Sequence, residues 1–301
     1  MPPAAEPAPL RAPLPGGDAT ATVRVHPLRS GEILLPPLAF DRPLGRLSQV
    51  RGMGLHVARR HWSWAPVPAF LVEHPSAGHL LVDTGFHACV ADDPRASLGR
   101  LLPALMPVRQ ESGASVPEQL HARGIDPQQI RTVVLTHLHN DHASGITQFP
   151  AATFVATKIE WQVACAGGPA QGYVRSHFDL PLDWRTVDYA DPATGGHAGF
   201  NRAFDLFGDG AVLLLSTPGH TRGHQSVLLR LGGGRELLLT GDAAYTRRSI
   251  DEDLVPIFCV DEHLFRRSLR EIRAHLAERE QTRAICGHDA DAWESMDDVI
   301  E

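Results

Sequence analysis

What this chain has little of narrows it first. Only Cys89, Cys165, Cys259 and Cys286 occur in 301 residues, with no Cys-x-x-Cys pair. Four cysteines allow three disulfide pairings and the spacing favours none, so free, mostly buried thiols are expected. No apolar run approaches the roughly 18 residues that a bilayer span needs, which argues against membrane insertion. The start, Met1-Pro2-Pro3-Ala4-Ala5-Glu6, has neither a basic segment nor an apolar core, so no secretory signal is expected and the cytoplasm is the default location. Positive charge is also short: 28 Lys and Arg against 35 Asp and Glu leave a net charge of −7, with no electrostatic reason to bind nucleic acid. The 43% hydrophobic and 21% charged residues are ordinary for a soluble globular enzyme. Length alone admits one large domain or two small ones.

Histidine is abundant, with 17 in the chain, and its placement is the main signal. In Thr136-His137-Leu138-His139-Asn140-Asp141-His142, three imidazoles and a carboxylate fall within six residues, directly after the apolar β-branched run Thr132-Val133-Val134-Leu135. That run reads as a buried strand, and a strand end is a rigid platform for ligands. His220, Asp242 and His288 each follow another apolar run. Side chains alternate along an extended segment, so His137 and His139 point to one side and can reach one ion. Asp141 and His142 come after the chain has turned and point at a second ion beside it. Asp242 has two oxygens and can bridge the pair, while His220 and His288 complete the two sets. Zinc accepts such nitrogen and oxygen donors at about 2.0–2.2 Å, and iron, manganese or cobalt suit the same ligands.

Around this centre the chain reads as one domain. Residues 1–20 are rich in Pro, Ala and Gly and are expected to be a disordered leader; residues 21–301 form the folded part. A first strand starts near Thr22, and the runs at 68–73 and 80–83 predict a hairpin. Residues 86–113 are too apolar for an idle loop and too broken by proline for a long helix. Ser115-Val116-Pro117-Glu118 is a helix start with a capping box. Thr153-Phe154-Val155-Ala156 predicts a strand, followed by a helix over about 158–165. Residues 166–205, rich in Gly, Asp and aromatics, are expected to be an irregular insertion. Strands follow at 211–215, 226–230 and 236–239. From Asp261, Leu264, Phe265, Leu269, Ile272 and Leu276 recur at helical spacing, with Arg266, Arg267, Arg270 and Arg273 on a solvated face. Each half runs from strands to a strand ending in metal-type residues and then a helix, which favours two β layers with helices outside.

His137-x-His139-x-Asp141-His142 followed by His220, Asp242 and His288, in that order, resembles the metallo-β-lactamase superfamily from about residue 22 to 290. The resemblance implies an α/β fold, a four-layer αββα sandwich, and a dinuclear metal site. In Leu81-Val82-Asp83-Thr84-Gly85 it implies that Asp83 orients a metal-bound His. It implies a structural role for His224 in Pro218-Gly219-His220-Thr221-Arg222-Gly223-His224. Tyr245, three residues after Asp242, and Gly287-His288-Asp289 are similar to motifs of the N-acyl homoserine lactonases, the quorum-quenching branch. There a metal-bridging hydroxide would attack the lactone carbonyl, with Asp141, Tyr245 and Asp242 as the catalytic groups. The partner implied is a small-molecule lactone, with no nucleic acid and no membrane, and a homodimer is left open. The acyl chain needs an apolar groove, for which Phe86, Leu101, Leu102, Leu105 and Met106 are the candidates, ahead of Trp62, Trp64 and Trp161.

Other activities share this ligand set. A glyoxalase-II-like thioesterase would need a basic glutathione patch, which is not evident. The main zinc β-lactamases carry Cys where this chain has Asp242, and the diiron flavoproteins replace the second His of the first motif, here His139, by an acid. An RNA-processing nuclease of this fold would want a basic exosite. A non-catalytic metal-binding protein is the alternative of another class.

Overall fold

Apolar runs that alternate side by side build two sheets back to back. The structure, a computed structural model, describes residues 4–42, 52, 54, 57–192 and 194–301. The first sheet contains β1 (Ala8–Pro9), β2 (Arg24–Leu35), β3 (Ser63–His74), β4 (Gly78–Val82), β5 (Val108–Arg109), β6 (Thr132–Val134), β7 (Thr153–Thr157) and β8 (Asp183–Val187). Its order is β1-β8-β7-β6-β4-β3-β2-β5. The second contains β9 (Gly195–His197), β10 (Phe200–Asp205), β11 (Val212–Ser216), β12 (Gln225–Arg230), β13 (Glu236–Leu239) and β14 (Thr282–Ile285), ordered β14-β13-β12-β11-β10-β9.

Strand alternation sends every second side chain to a different layer. Val72, Val82, Val134 and Val155 of the first sheet meet Leu214, Val227, Leu229, Leu237 and Leu239 of the second in the inner core. Their neighbours Leu71, Leu81, Val133 and Phe154 face outward onto Leu120, Ile146, Phe149 and Trp161. Leu215, Leu228 and Leu238 do the same on the other side, against Phe265, Leu269 and Ile272 of the helix Glu262–Glu278. Both faces of the central strands are thus dry, which is why those strands read as continuous apolar runs. The result is the expected αββα sandwich.

Local signals in the sequence have their expected outcomes in several places. The helix Val116–Ala122 starts on the Ser115–Glu118 capping box. Asp261 caps the helix Glu262–Glu278 through Leu264 N–H at 3.0 Å. On its outer face Arg266 and Arg273 pair with Asp253, while Arg270 is exposed. All four cysteines are free, Cys259 and Cys286 being buried.

Two expectations need correction. The leader packs: Met1, Pro2 and Pro3 lie outside the described residues, but Ala8–Pro9 pairs with β8, Ala5 is buried, and Leu10 and Leu14 rest on the inner core. Its anchors are backbone groups: Leu10 N–H donates to Thr186 O, Leu14 N–H to Leu206 O, and Ala4 and Ala5 N–H to Asp179. A proline-rich segment can take an edge position, where missing N–H groups cost no ladder bond. The 166–205 segment is likewise more ordered than an irregular insertion, carrying the short helix Arg175–Phe178 and strands β8, β9 and β10. Residues 86–113 hold the helices Pro94–Leu98 and Leu101–Leu105, each of 5 residues, as their prolines require.

Candidate metal centre

The carboxyl ends of β6, β11, β13 and β14 converge on one buried cluster. Their extensions carry His137–His142, His220, Asp242 and His288 respectively, and the donor atoms form three overlapping groups. These are His137, His139 and His220; His137, His142 and Asp242; and Asp141, His142 and His288, with donor atoms within 4.8 Å of one another in each group. Every metal-type residue singled out in the sequence therefore reaches the same site. His139 is the most open of them, the others being buried.

Three of the imidazoles, His142, His220 and His288, are each aimed by a partner on Nδ1. Asp83 follows β4 with φ of 59°, a left-handed conformation uncommon outside glycine. Its Oδ1 accepts from Thr136 N–H at 2.8 Å, and its Oδ2 from the Thr136 hydroxyl at 2.8 Å and His142 Nδ1 at 2.7 Å. His220 Nδ1 donates to Phe258 O at 2.6 Å and His288 Nδ1 to Pro66 O at 2.9 Å. With those protons placed on Nδ1, the Nε2 lone pairs of His142, His220 and His288 all point inward. His220 Nε2 stands 3.2 Å from His137 Nε2 and 3.0 Å from His139 Nδ1. Asp242 sets Oδ1 3.4 Å from His142 Nε2, and Oδ2 3.3 Å from both His220 Nε2 and His288 Nε2.

His224 does a different job. Its Nε2 accepts from Asp242 N–H at 3.0 Å, and its Nδ1 faces the Thr217 hydroxyl at 3.0 Å. Thr217 in turn meets Ser226, whose hydroxyl donates to Thr240 O. Both ring nitrogens are occupied, so His224 holds the Asp242 backbone and offers no lone pair. Burial, reinforced by His220, pushes its pKa down to about 3, which keeps it the neutral acceptor this chain requires.

The donor set fits divalent cations. Among the described residues, His142 Nε2 and Asp242 Oδ1 are buried with no hydrogen-bond partner, an expensive condition unless something satisfies both. Burial, together with the facing imidazoles, drives the pKa values of His137 and His139 far down, leaving neutral donors. Burial also works against charged His142 and His288, but the carboxylates outweigh it and raise both: Asp141, Asp83 and Asp242 for His142, Asp242 and Asp141 for His288. A site that pulls protons in against desolvation is one in which a cation can take their place.

Tyr245 lies beside this cluster, 2% exposed, its ring 4.8 Å from that of His288 and 5.7 Å from that of His220. Burial, then Asp242 and Asp141, push its phenol well above the ordinary range, so it keeps its proton. Phe40 packs edge-on against it at 6.2 Å. The groove candidates fare less well. Phe86 is fully buried among Ile33, Leu35 and Val67, so it is packed core and no groove wall. Leu102 and Met106 lean on that cluster, while Leu101 and Leu105 are 63% and 43% exposed. Trp161 is core beside Phe178 and Trp184, Trp64 lies under the Arg109 guanidinium, and Trp62 donates to Val57 O.

Sequence reasoning missed the groups that pack on His139. The Tyr173 ring sits 4.9 Å from it, and a Cβ on Gly172 would meet His139 Cδ2 at 2.7 Å. The only local signal was Gly-Tyr in a segment read as irregular.

The comparisons with known proteins agree with this geometry. The pattern of the Metallo-beta-lactamase superfamily matches residues 62–300. "N-acyl homoserine lactonase AttM" of Agrobacterium fabrum is 38% identical over 234 residues, which is 76% of this chain and 83% of that protein. Among solved structures, an N-acyl homoserine lactone hydrolase with the product N-hexanoyl-L-homoserine at its catalytic metal centre superposes with a TM-score of 0.71 at 19% identity, covering 94% of this chain and 98% of that one. AidC, a dizinc quorum-quenching lactonase in complex with a product, superposes at 0.61 and 17% identity, covering 93% and 90%. The ordered ligand motif, the sandwich and the profile match coincide: the chain belongs to the metallo-beta-lactamase superfamily.

Proposed function

We propose that this protein opens the lactone ring of N-acyl homoserine lactones by hydrolysis, using two divalent metal ions per chain. The observation that carries the reading is Asp242, a single buried carboxylate facing imidazoles of both nitrogen groups at 3.3–3.4 Å. A carboxylate so placed could serve both ions. His137, His139 and His220 would hold one ion, and Asp141, His142 and His288 the other. Zinc heads the list, with iron, manganese and cobalt able to use the same donors. Two such cations supply a Lewis acid for the ester carbonyl and bring the pKa of water close to neutral.

The chain's own residues supply the remaining chemistry. Tyr245 keeps its proton, so its hydroxyl donates to the carbonyl oxygen as negative charge grows there. The ring-opening step leaves an alkoxide that needs a proton. Asp141 is suited to carry it, because its side chain is 12% exposed while Asp242 is committed to three imidazoles. Phe40 against Tyr245, and Tyr173 against His139, supply apolar surface on two sides. A relative named as an N-acyl homoserine lactonase, 38% identical over most of the chain, supports the substrate class. The free thiols fit a reducing compartment, and we read the cytoplasm as its location.

Mass spectrometry of the product tests the reaction. Hydrolysis at the ring adds one water and yields an N-acyl homoserine that closes again in acid. Release of a free fatty acid would instead place the cut at the amide and contradict the reading.

A further inference from the structure

One buried charge has no part in the chemistry above. Glu160, in the helix Lys158–Ala166, is fully buried. Its Oε1 accepts from Leu138 N–H at 3.0 Å and from the Tyr173 hydroxyl at 3.1 Å, and its Oε2 accepts from the Thr221 hydroxyl at 2.6 Å. Leu138 lies between His137 and His139, Thr221 follows His220, and the Tyr173 ring packs on His139. One carboxylate therefore grips both loops that carry the three-histidine group, together with the aromatic cover of its most open member.

The grip is reinforced next door. Thr157 accepts Glu160 N–H at 3.0 Å and donates to Gly223 O at 2.7 Å. The chain comes so close there that a Cβ on Gly223 would stand 2.1 Å from Glu160 N, so only glycine fits. Burial raises the Glu160 carboxyl pKa, and the donors from Thr221, Leu138 and Tyr173 pull against it. An amide in place of this dry carboxylate would turn an N–H either toward the Leu138 N–H, which can only donate, or toward the Thr221 hydroxyl, which would have to give up its own donation to accept it.

We propose that Glu160 is a positioning residue that locks His137, His139 and His220 into the geometry of one ion. The proposal rests on the metal-centre reading above. None of its side-chain partners adjoins Asp141, His142 or His288, so its removal should weaken one of the two ions selectively. Groups that orient metal ligands from behind typically contribute about 10–100-fold to affinity or activity.

The test uses the full chain and its Glu160→Gln and Thr221→Val variants. Metal content is measured against a competing chelator, the absorption bands of the cobalt-loaded protein are recorded, and circular dichroism checks the fold. The wild type should hold two ions. Glu160→Gln, with wild-type circular dichroism, should bind one of them about 10–100-fold more weakly and show changed cobalt bands, while the other ion stays. Thr221→Val, losing one donor, should move the same way by less. Glu160→Gln with wild-type affinities and bands overturns the proposal. If Glu160→Gln does not fold, Thr221→Val and Tyr173→Phe decide, and unchanged affinity in both overturns it. A wild type that holds fewer than two ions contradicts the metal-centre reading itself, a different result from any of these.

Discussion

His142 Nδ1 stands 2.7 Å from Asp83 Oδ2, although 59 residues separate them in the chain. The contact fixes which nitrogen of His142 carries the proton and turns the other toward Asp141 and Asp242. Asp83 pays for this with a left-handed backbone, which its three accepted hydrogen bonds over-determine. Replacing Asp83 by Asn should keep the fold and lower affinity for the ion of the Asp141, His142 and His288 group by about 10–100-fold. Chelator competition reads this directly, and an unchanged affinity would show that Asp83 only braces the loop.

Asp242→Ala should be more severe than any single histidine replacement. The carboxylate faces His142, His220 and His288 at once. We expect at most one ion per chain and no measurable turnover. Two ions in elemental analysis of the variant would remove Asp242 from the bridging position.

Tyr245→Phe separates donation from ligation. The ring remains to pack against Phe40 and His288, so both ions should stay. Loss of one donor to the developing oxyanion should lower kcat roughly tenfold to a hundredfold, or ~1.4–2.7 kcal/mol. An unchanged kcat would make Tyr245 a packing residue.

His177 ties the 166–205 segment to the helix Pro94–Leu98, with Nε2 3.0 Å from Ser97 O. Burial pushes its pKa down to about 4. The unfolded imidazole titrates near its ordinary value of about 6.5, so between these values only the unfolded chain takes the proton. Stability should therefore fall as pH drops from about 6.5 toward 4. His177→Gln should flatten that fall, although the variant is less stable at neutral pH. Chemical denaturation at pH 7 and pH 5 checks it, and equal losses in both proteins would contradict it.

The clustered candidate ligands were legible because their chemistry is local: His137, His139, Asp141 and His142 fall within six residues, and His220, Asp242 and His288 each follow an apolar strand. The sandwich was legible for a related reason, since Val133 and Val134, or Leu228 and Leu229, feed alternate layers in a continuous run. What the residue pattern hid depends on partners distant in sequence or on backbone groups. Glu160 acts through Leu138 N–H and two hydroxyls, none of which has a signature in the chain. The arm at residues 4–20 is held by carbonyls of Thr186 and Leu206 and by Asp179, so its composition misleads. Phe86 reads equally well as groove or core, and only the neighbours Ile33 and Val67 decide for core.

Substrate choice tests the central claim most directly. The measurement is kcat/KM of the same metal-loaded protein on N-acyl homoserine lactones, simple lactones, S-lactoylglutathione, a phosphodiester and a β-lactam. The proposed dinuclear site, with Tyr245 as donor to an ester carbonyl, predicts the homoserine lactones as the best substrates, with activity lost on chelation and restored by metal. If the thioester or the phosphodiester is cleaved orders of magnitude faster than every lactone, the lactonase assignment is wrong and only the fold and the candidate metal centre stand.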